Sequence, residues 1–230
     1  MLTIHGVPIS VHTRKVILSA IEKGIPYRNE PVIPFNPPAG WDELSPTGKI
    51  PVVTLADDVA LRDSSVICAY LDKAHPQPPL YPAEAKPFAE ALWLEEFADG
   101  TVFREVIHGL FFQKVIRPKI LSQTTDEAAV VAILEMALPK CFGYLERCIN
   151  GDFLVEDHFG IADIAVISNL INFHYLGYAI DGKPWPRLQR YFDDMLKRPS
   201  IRTALASEMK AATGMGLDTT FVKKADLAFT

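Results

Sequence analysis

A proline-rich segment divides this chain into two parts with different sequence patterns. The stretch "HPQPPLYP" places four prolines at positions 76 to 82, and proline interrupts helices and central strands because it lacks a backbone amide hydrogen. Residues 1–75 show short apolar runs that alternate with short helical patterns, whereas residues 84–230 show mainly helical periodicity. We therefore expect a mixed α/β domain over 1–75, a linker over 76–83 and an all-α domain over 84–230.

The first part predicts a small sheet with helices packed on it. A strand at Leu2–His5 precedes a helix whose apolar stripe ends at Gly24, a residue type common just after helices. The run "IPYRNEPVI" predicts a second, parallel strand, and "PVVTL" and "VALR" flank a turn that predicts a hairpin. A short helical turn at Trp41–Leu44 and a capped helix in "DSSVICAYLDKA" complete the order β-α-β-α-β-β-α.

The second part predicts helices over most of its length. We expect them at 84–117, with a break near Pro118, and then at 125–149, 161–176, 184–197 and 200–212. The tail 213–230 has weak periodicity and receives no assignment.

Composition and charge exclude several classes of function. The net charge of −5 and the pI of about 5.7 argue against nucleic acid as a partner, because such proteins carry a basic patch. No wholly apolar run reaches the length of a membrane helix, and the N-terminus lacks a secretory signal pattern, so we expect no membrane association. Cys68, Cys141 and Cys148 are widely spaced in apolar surroundings, which suits reduced thiols in a cytoplasmic protein.

Two short stretches carry groups that suit a peptide-like ligand. In "TGKIPVV", a cis bond between Ile50 and Pro51 would leave the Ile50 amide and carbonyl free to pair with a ligand backbone. In "RDSSVI", Ser64 at a helix start suits a carboxylate, while Asp63 suits an ammonium group. Each stretch also has a simpler interpretation, as an ordinary strand start or an ordinary helix cap.

The order and spacing of these patterns resemble the cytosolic glutathione transferase family, and among its members the serine-type theta and phi branches. The resemblance covers nearly the whole chain and rests on "PISVHTRKV…EKGIPY", "SPTGKIPVV", "LRDSSVICAYL", "FGIADIAV" and "RPSIRTAL". It implies a thioredoxin-like N-terminal domain followed by an all-helical C-terminal domain. It also implies glutathione as a co-substrate, a small electrophile as the second substrate, and a homodimer.

The resemblance further implies roles for individual residues. Ser10 matches the hydroxyl that activates the glutathione thiol, and Ile50 with Pro51 matches the cis-proline pair that binds the cysteinyl backbone. Asp63 and Ser64 match the acidic–serine pair that holds the γ-glutamyl end. Lys49 matches a position that contacts the glycyl or the γ-glutamyl part.

Other residues near Ser10 leave alternatives open. Thr13 lies one helical turn further on and is the rival for the hydroxyl role, although a hydroxyl there often caps the helix. His12 favours a surface or packing role over a catalytic one. We expect Arg14 to add diffuse positive charge near the sulfur.

The chain also departs from the family pattern at two places. The region before Lys49 reads "FNPPAGW" and lacks the basic residues of the phi pattern, which leaves Lys49 itself as a candidate partner of the glycyl carboxylate. Gly160 stands where the family has serine or threonine, three residues before Asp163. We interpret Asp163 as a structural capping residue, because its carboxylate can reach a free amide at the helix start.

We expect the electrophile to bind between the two domains, although an aromatic stripe at helical spacing is also typical of a core. The candidate lining residues are Ile9, Val11, Phe103, Ile107, His108, Phe111 and Phe112. The sequence has no metal-ligand spacing and no glycine-rich phosphate loop, so no metal cofactor is expected.

Three functions are compatible with these residues. The first is a glutathione S-transferase that conjugates glutathione to a hydrophobic electrophile, and the second is a glutathione-dependent isomerase or peroxidase on the same fold. The third is a non-catalytic interaction module. Serine at position 10 counts against a thiol–disulfide reductase. The third function ranks last, because Ser10, Pro51 and the Asp63–Ser64 pair are all present.

Overall fold

The computed structural model describes residues 1–224, and its first part is a small mixed sheet with three helices. The strands and helices of this part are β1 Leu2–His5, α1 Val11–Glu22, β2 Tyr27–Glu30, α2 Trp41–Leu44, β3 Val52–Thr54, β4 Ala60–Arg62 and α3 Ser64–Ala74. This order, β-α-β-α-β-β-α, confirms the predicted fold class of the first part.

The sheet has the strand order β2-β1-β3-β4. β1 pairs in parallel with β2, from Leu2 opposite Tyr27, and antiparallel with β3, where Ile4 lies opposite Val53. β3 and β4 form the predicted antiparallel hairpin. Leu2 and Ile4 are buried and alternate with less buried neighbours, as expected for a strand with one face on the core.

The second part is helical, as predicted. Its helices are α4 over 85–120, α5 Glu127–Cys148, α6 Ile161–Tyr175, α7 Pro186–Met195, α8 Pro199–Gly214 and α9 Thr220–Lys224. The tail beyond residue 224 lies outside the described residues.

Helix α6 forms the centre of this part. Fourteen of its fifteen residues are buried, which is typical of a helix enclosed by other elements. Helix α1 packs against α6 and α8 on one side and against α3 and the sheet on the other. The N-terminal end of α1 therefore lies where the two parts meet.

The break predicted near Pro118 comes just after Ile120, because α4 includes Pro118 in its last turn. Segments Phe97–His108 and Phe112–Ile120 of this helix are π-helical, whereas Ala85–Glu96 and Gly109–Phe111 are α-helical. Proline lacks an amide hydrogen, and its ring crowds the carbonyl four residues earlier. The turn that contains Pro118 is wide, because the Leu121 amide donates to the Ile116 carbonyl five residues earlier.

One helix in the described part, α5, is long and apolar enough to cross a membrane. Its most apolar window has a mean hydropathy of 1.6, and 28 % of that window is buried. Length and composition do not separate a membrane span from a helix that packs along one face, and Val130, Leu138, Phe142 and Leu145 of α5 pack into the core. The sequence predicted a helix here, but the search for a continuous apolar run did not mark it as long and apolar enough to cross a membrane.

The start of α6 explains why glycine replaces serine or threonine at position 160. The Ile161 amide donates to the Leu80 carbonyl of the linker at 2.9 Å, and a Cβ on Gly160 would lie 2.9 Å from that same carbonyl oxygen. Asp163 Oδ2 accepts from the Gly160 amide at 3.0 Å, and Asp163 Oδ1 accepts from the Leu154 amide and the Tyr191 hydroxyl. Asp163 is thus a structural capping residue, as the sequence predicted.

We predict that Gly160→Ser destabilises the protein by roughly 1–3 kcal/mol, the range for inserting atoms into a packed site. Capping preference alone predicts a gain of a few tenths of a kcal/mol instead, so the sign of the change decides between the two effects. Denaturant unfolding midpoints measure it. Gly151→Ser is the matched control, because a Cβ at Gly151 meets nothing within 4 Å; a stabilised Gly160→Ser variant would contradict the prediction.

Candidate functional site

The N-terminal ends of α1 and α3 meet beside the loop that enters β3. His12 Nδ1 lies 3.5 Å from Ser64 Oγ, and Lys15 Nζ lies 2.9 Å from Ser65 Oγ. A Cβ on Gly6 would lie 2.5 Å from Thr13 Oγ1 and 3.4 Å from Ile50 Cβ, so the β1–α1 turn also touches this loop. Two helix N-termini with free amides therefore face one region, which favours an anionic ligand there.

Ser10 caps α1 and stays partly exposed. Its Oγ accepts from the Thr13 amide at 3.5 Å. Accepting this bond uses a lone pair of the hydroxyl and leaves its hydrogen free to donate. Ser10 can therefore cap the helix and donate to a ligand at the same time.

Thr13 points into the protein instead. Its side chain is fully buried against Gly6, and its Oγ1 has no hydrogen-bond partner among the described residues. A hydroxyl in this position does not reach a ligand at the protein surface, so the geometry favours Ser10 over Thr13 as the donor.

The loop before β3 carries the two residues expected to bind a ligand backbone. The Ile50–Pro51 bond is cis, and the paired residues of β3 begin only at Val52. Ile50 is partly exposed and lies just beyond the sheet. The Lys49 side chain is exposed, while its carbonyl accepts from Ser45 Oγ at 2.7 Å.

The start of α3 places Asp63 and Ser64 in different surroundings. Asp63 is exposed and has a φ of +71°, which is rare for a residue other than glycine. Its Oδ1 accepts from the Ser65 and Val66 amides at 2.9 and 3.4 Å, so this carboxylate caps the helix. Ser64 is 5 % exposed and its hydroxyl faces His12. Backbone strain of this kind occurs mainly where the surrounding structure demands it.

A buried ionic cluster lies directly behind these helix ends. Lys15 Nζ lies 2.5 Å from Glu95 Oε1 and 2.5 Å from Asp99 Oδ2, and the Tyr81 hydroxyl donates to Glu95. Burial lowers the pKa of Lys15, but the carboxylates of Asp99 and Glu95 outweigh burial and leave this pKa raised. Lys15 is therefore a fixed positive charge that holds α4 against α1 and α3.

Arg14 does not contribute free charge to the sulfur site, contrary to the expectation from the sequence. Its guanidinium is fully buried and donates to both Glu208 oxygens, at 2.6 and 2.7 Å. It also donates to the Ser168 carbonyl and to Asn172 Oδ1, each at 2.7 Å. Because these acceptors lie on α6 and α8, Arg14 joins α1 to the helical part.

The candidate electrophile residues separate into two groups. Ile9, Val11 and Ile107 are 5 %, 1 % and 1 % exposed and belong to the core, so they offer little surface to a substrate. Phe103, Phe111 and Phe112 are partly exposed and His108 is exposed. Phe103 packs against His12 at 4.5 Å and against His108 at 5.7 Å between ring centroids. Phe103 and His108 thus lie close to the α1 end.

The cysteines of the chain do not supply a reactive sulfur. Burial raises the pKa of Cys68 to about 12 and that of Cys141 to about 11, and it also raises the pKa of Cys148. All three are free, in agreement with the sequence prediction. No group of side chains among residues 1–224 has the composition to hold a metal ion.

The sequence did not predict that Arg14 and Lys15 each form buried ion pairs with distant carboxylates. It also did not predict the contacts of His12. Two consecutive basic residues inside an apolar helical pattern were the available signal, because charges in such positions need partners. The partners themselves lie 80 to 194 positions away, so the sequence alone did not identify them.

The chain is similar to known proteins over most of its length. Residues 4–79 match the model for the N-terminal domain of glutathione S-transferases, and residues 111–208 match the model for their C-terminal domain. FtsZ-localized protein A of Caulobacter vibrioides is 24 % identical over 208 residues, covering 89 % of this chain and 90 % of that protein. Glutathione S-transferase GstB of Escherichia coli is 26 % identical over 215 residues, covering 88 % and 96 %.

A solved structure is similar as well. The crystal structure of a glutathione S-transferase from Methylobacillus flagellatus with glutathione bound has a TM-score of 0.75 at 26 % identity, and the match covers 89 % of this chain and 98 % of that one.

We predict that Arg14→Met and Glu208→Ala each destabilise the protein by about 3–5 kcal/mol, because each leaves a buried charge without its partner. The double variant should lose clearly less than the sum of the two, since it buries neither charge. Denaturant unfolding measures all three. Lys197→Met, which breaks the exposed pair with Asp194, should leave the midpoint unchanged; additive losses in the double variant would show that the pair is not coupled.

Proposed function

The chain belongs to the glutathione S-transferase family, and on this basis we propose that it binds glutathione and conjugates its sulfur to a small, hydrophobic electrophile. We further propose that it is a serine-type member, in which Ser10 stabilises the glutathione thiolate. The observation that supports this most is the Ser10 hydroxyl, which is partly exposed at the start of α1 and keeps its hydrogen free.

The proposed role of Ser10 is that of a hydrogen-bond donor. A thiol has a pKa near 8.5, so only a few per cent is thiolate at neutral pH. A hydrogen bond to a charged group contributes about 1.5–3 kcal/mol, which corresponds to a decrease of about one to two pKa units. The N-terminus of α1 adds a further favourable interaction with a negative sulfur.

The rest of glutathione would bind along the neighbouring loops. The γ-glutamyl carboxylate would bind at the start of α3, where Ser64 lies, and its ammonium would face Asp63. The cysteinyl backbone would pair with Ile50 beside the cis bond to Pro51. Lys49 is exposed beside this loop and is the proposed partner of the glycyl carboxylate.

In the proposed reaction the thiol proton leaves to solvent and the thiolate attacks an electrophilic carbon. A carbon–sulfur bond forms while the bond to a leaving group breaks, and the leaving group departs with the electron pair. Phe103, Phe111 and His108 are the proposed contacts of the electrophile, because all three are at least partly exposed. Phe103 packs against His12, and His108 packs against Phe103.

Ser10→Ala should raise the thiol pKa of bound glutathione by one to two units and lower turnover about tenfold or more, since one stabilising hydrogen bond is lost. Ultraviolet titration of the bound thiolate and steady-state assays with an aryl halide measure these effects. Ser10→Thr keeps the hydroxyl and should retain most activity. An unchanged thiol pKa in Ser10→Ala would reject the assignment.

A glutathione-dependent isomerase or peroxidase would use the same thiolate, and activity assays with those substrates separate them from a transferase. A non-catalytic interaction module is the second candidate, favoured by the similarity to a protein named for FtsZ localisation. Retention on glutathione-agarose without turnover of any electrophile class would support the module.

Because the three cysteines are free, we propose a reducing, cytoplasmic location.

We also propose a homodimer that uses the outer faces of α3 and α4. Large apolar side chains are exposed on both helices, at Val66, Tyr70, Phe88, Leu92 and Trp93. Phe88 and Leu92 also line a groove of 740 Å³ between the two helices and the linker. Exposed apolar surface of this kind marks interfaces.

Phe88→Glu should convert the proposed dimer to a monomer, because it introduces a charge into an apolar interface. Sedimentation velocity measures the state. Phe35→Glu is the matched control, since Phe35 is 65 % exposed but lies in the loop after β2. A wild-type monomer, or a Phe88→Glu variant that remains dimeric, would reject this interface.

A further inference from the structure

We infer that His12 is a positioning residue for the ligand carboxylate: Asp99 holds the proton on His12 Nδ1, and this N–H orients the Ser64 hydroxyl so that its hydrogen points to the ligand. The inference rests on the proposed function, because it assigns a role within the proposed γ-glutamyl site. It connects a residue of the helical part, Asp99, with ligand recognition in the first part.

The two carboxylate oxygens of Asp99 have different neighbours, and only Oδ1 faces His12. Asp99 Oδ2 accepts from Lys15 at 2.5 Å and from Ser65 Oγ at 3.5 Å. Asp99 Oδ1 is buried, has no hydrogen-bond partner among residues 1–224, and lies 3.7 Å from His12 Nδ1. At 3.7 Å this oxygen is too far to accept a hydrogen bond from Nδ1, so Asp99 acts on the imidazole through its negative charge.

The position of the proton on His12 decides what Ser64 can do. In a neutral imidazole one nitrogen donates and the other accepts. If Nδ1 lacked a proton, Ser64 would donate its only hydrogen to His12 at 3.5 Å and would have none for a ligand. Because a carboxylate faces Nδ1, the proton is favoured there. Ser64 Oγ then accepts from His12, and its hydrogen remains available.

The surroundings of His12 keep it neutral and fixed. Burial lowers its pKa, and the effects of Asp99 and Asp63, which raise this pKa, and of Lys15 and Lys49, which lower it, leave it below 6.5. The Phe103 ring packs edge-on against the imidazole at 4.5 Å. The imidazole is thus neutral at pH 7, held by an aromatic neighbour, and limited to the choice between two tautomers.

A hydrogen-bonding role and a packing role predict opposite results for two substitutions. His12→Leu fills the space but cannot donate, whereas His12→Asn keeps an N–H near the position of Nδ1. His158→Leu is the matched control, because this histidine lies on an exposed loop and contacts Glu156. The binding probe is S-methylglutathione, which cannot react. The second probe is the same compound with the γ-glutamyl α-carboxylate converted to a carboxamide.

Titration calorimetry should show that His12→Leu binds S-methylglutathione about tenfold more weakly than wild type, as expected for one lost hydrogen bond. His12→Asn should stay within about threefold of wild type and His158→Leu should match it. The carboxamide oxygen accepts only a weaker, neutral hydrogen bond from Ser64, so the carboxamide probe should show a clearly smaller difference between wild type and His12→Leu. In steady-state assays KM for glutathione should rise while kcat at saturation stays similar, since His12 does not act on the sulfur.

Asp99→Asn tests the tautomer directly and does not require His12→Leu to fold. It should weaken S-methylglutathione binding several-fold and carboxamide binding clearly less. Combined with His12→Leu it should add no further loss, because both act through Ser64. Wild-type affinity in His12→Leu or in Asp99→Asn, or an equal loss with both probes, would overturn the role of His12 alone. Failure of the wild-type protein to bind S-methylglutathione would overturn the proposed function and this inference together.

Discussion

The structure depends on the burial of two consecutive basic side chains in α1. Arg14 and Lys15 are both fully buried, and charges in such surroundings require partners. Arg14 finds Glu208 on α8, while Lys15 finds Glu95 and Asp99 on α4. The three ion pairs join α1 to α8 and to α4, and they add directional contacts to the hydrophobic packing between the two parts. The relative position of the two parts is thereby defined by charge as well as by packing.

This arrangement has a direct consequence for the site. Ser10, His12 and the first amides of α1 lie within one turn of Arg14, so the pairs that position α1 also position the groups proposed to meet the ligand. Asp99 takes part in both, because one oxygen binds Lys15 and the other faces His12. A site built on rigid elements in this way needs little reorganisation when a ligand binds.

Sequence reasoning succeeded where local pattern determines structure. The β-α-β start, the hairpin after Pro51 and the capped helix α3 follow from alternation, turn residues and caps, which act over a few positions. It placed the end of α4 slightly too early, because the last wide turn admits Pro118, and it failed at Arg14, whose partners lie on α6 and α8. Gly160 departs from the serine or threonine of the family pattern because the Leu80 carbonyl leaves no room for a side chain. These features arise from contacts between distant segments, which no local pattern encodes.

The chemistry of the site follows from what the chain lacks as well as what it holds. A thioredoxin-like fold with a cysteine at position 10 would carry its own nucleophile at the start of α1. Here the position is serine, and burial raises the pKa of Cys68, Cys141 and Cys148 above the range in which thiolates form at neutral pH. A sulfur nucleophile at this site must therefore come from a bound ligand. The helix N-terminus and the free Ser10 hydrogen still favour a negative sulfur, and this supports the proposed conjugation of a ligand thiol.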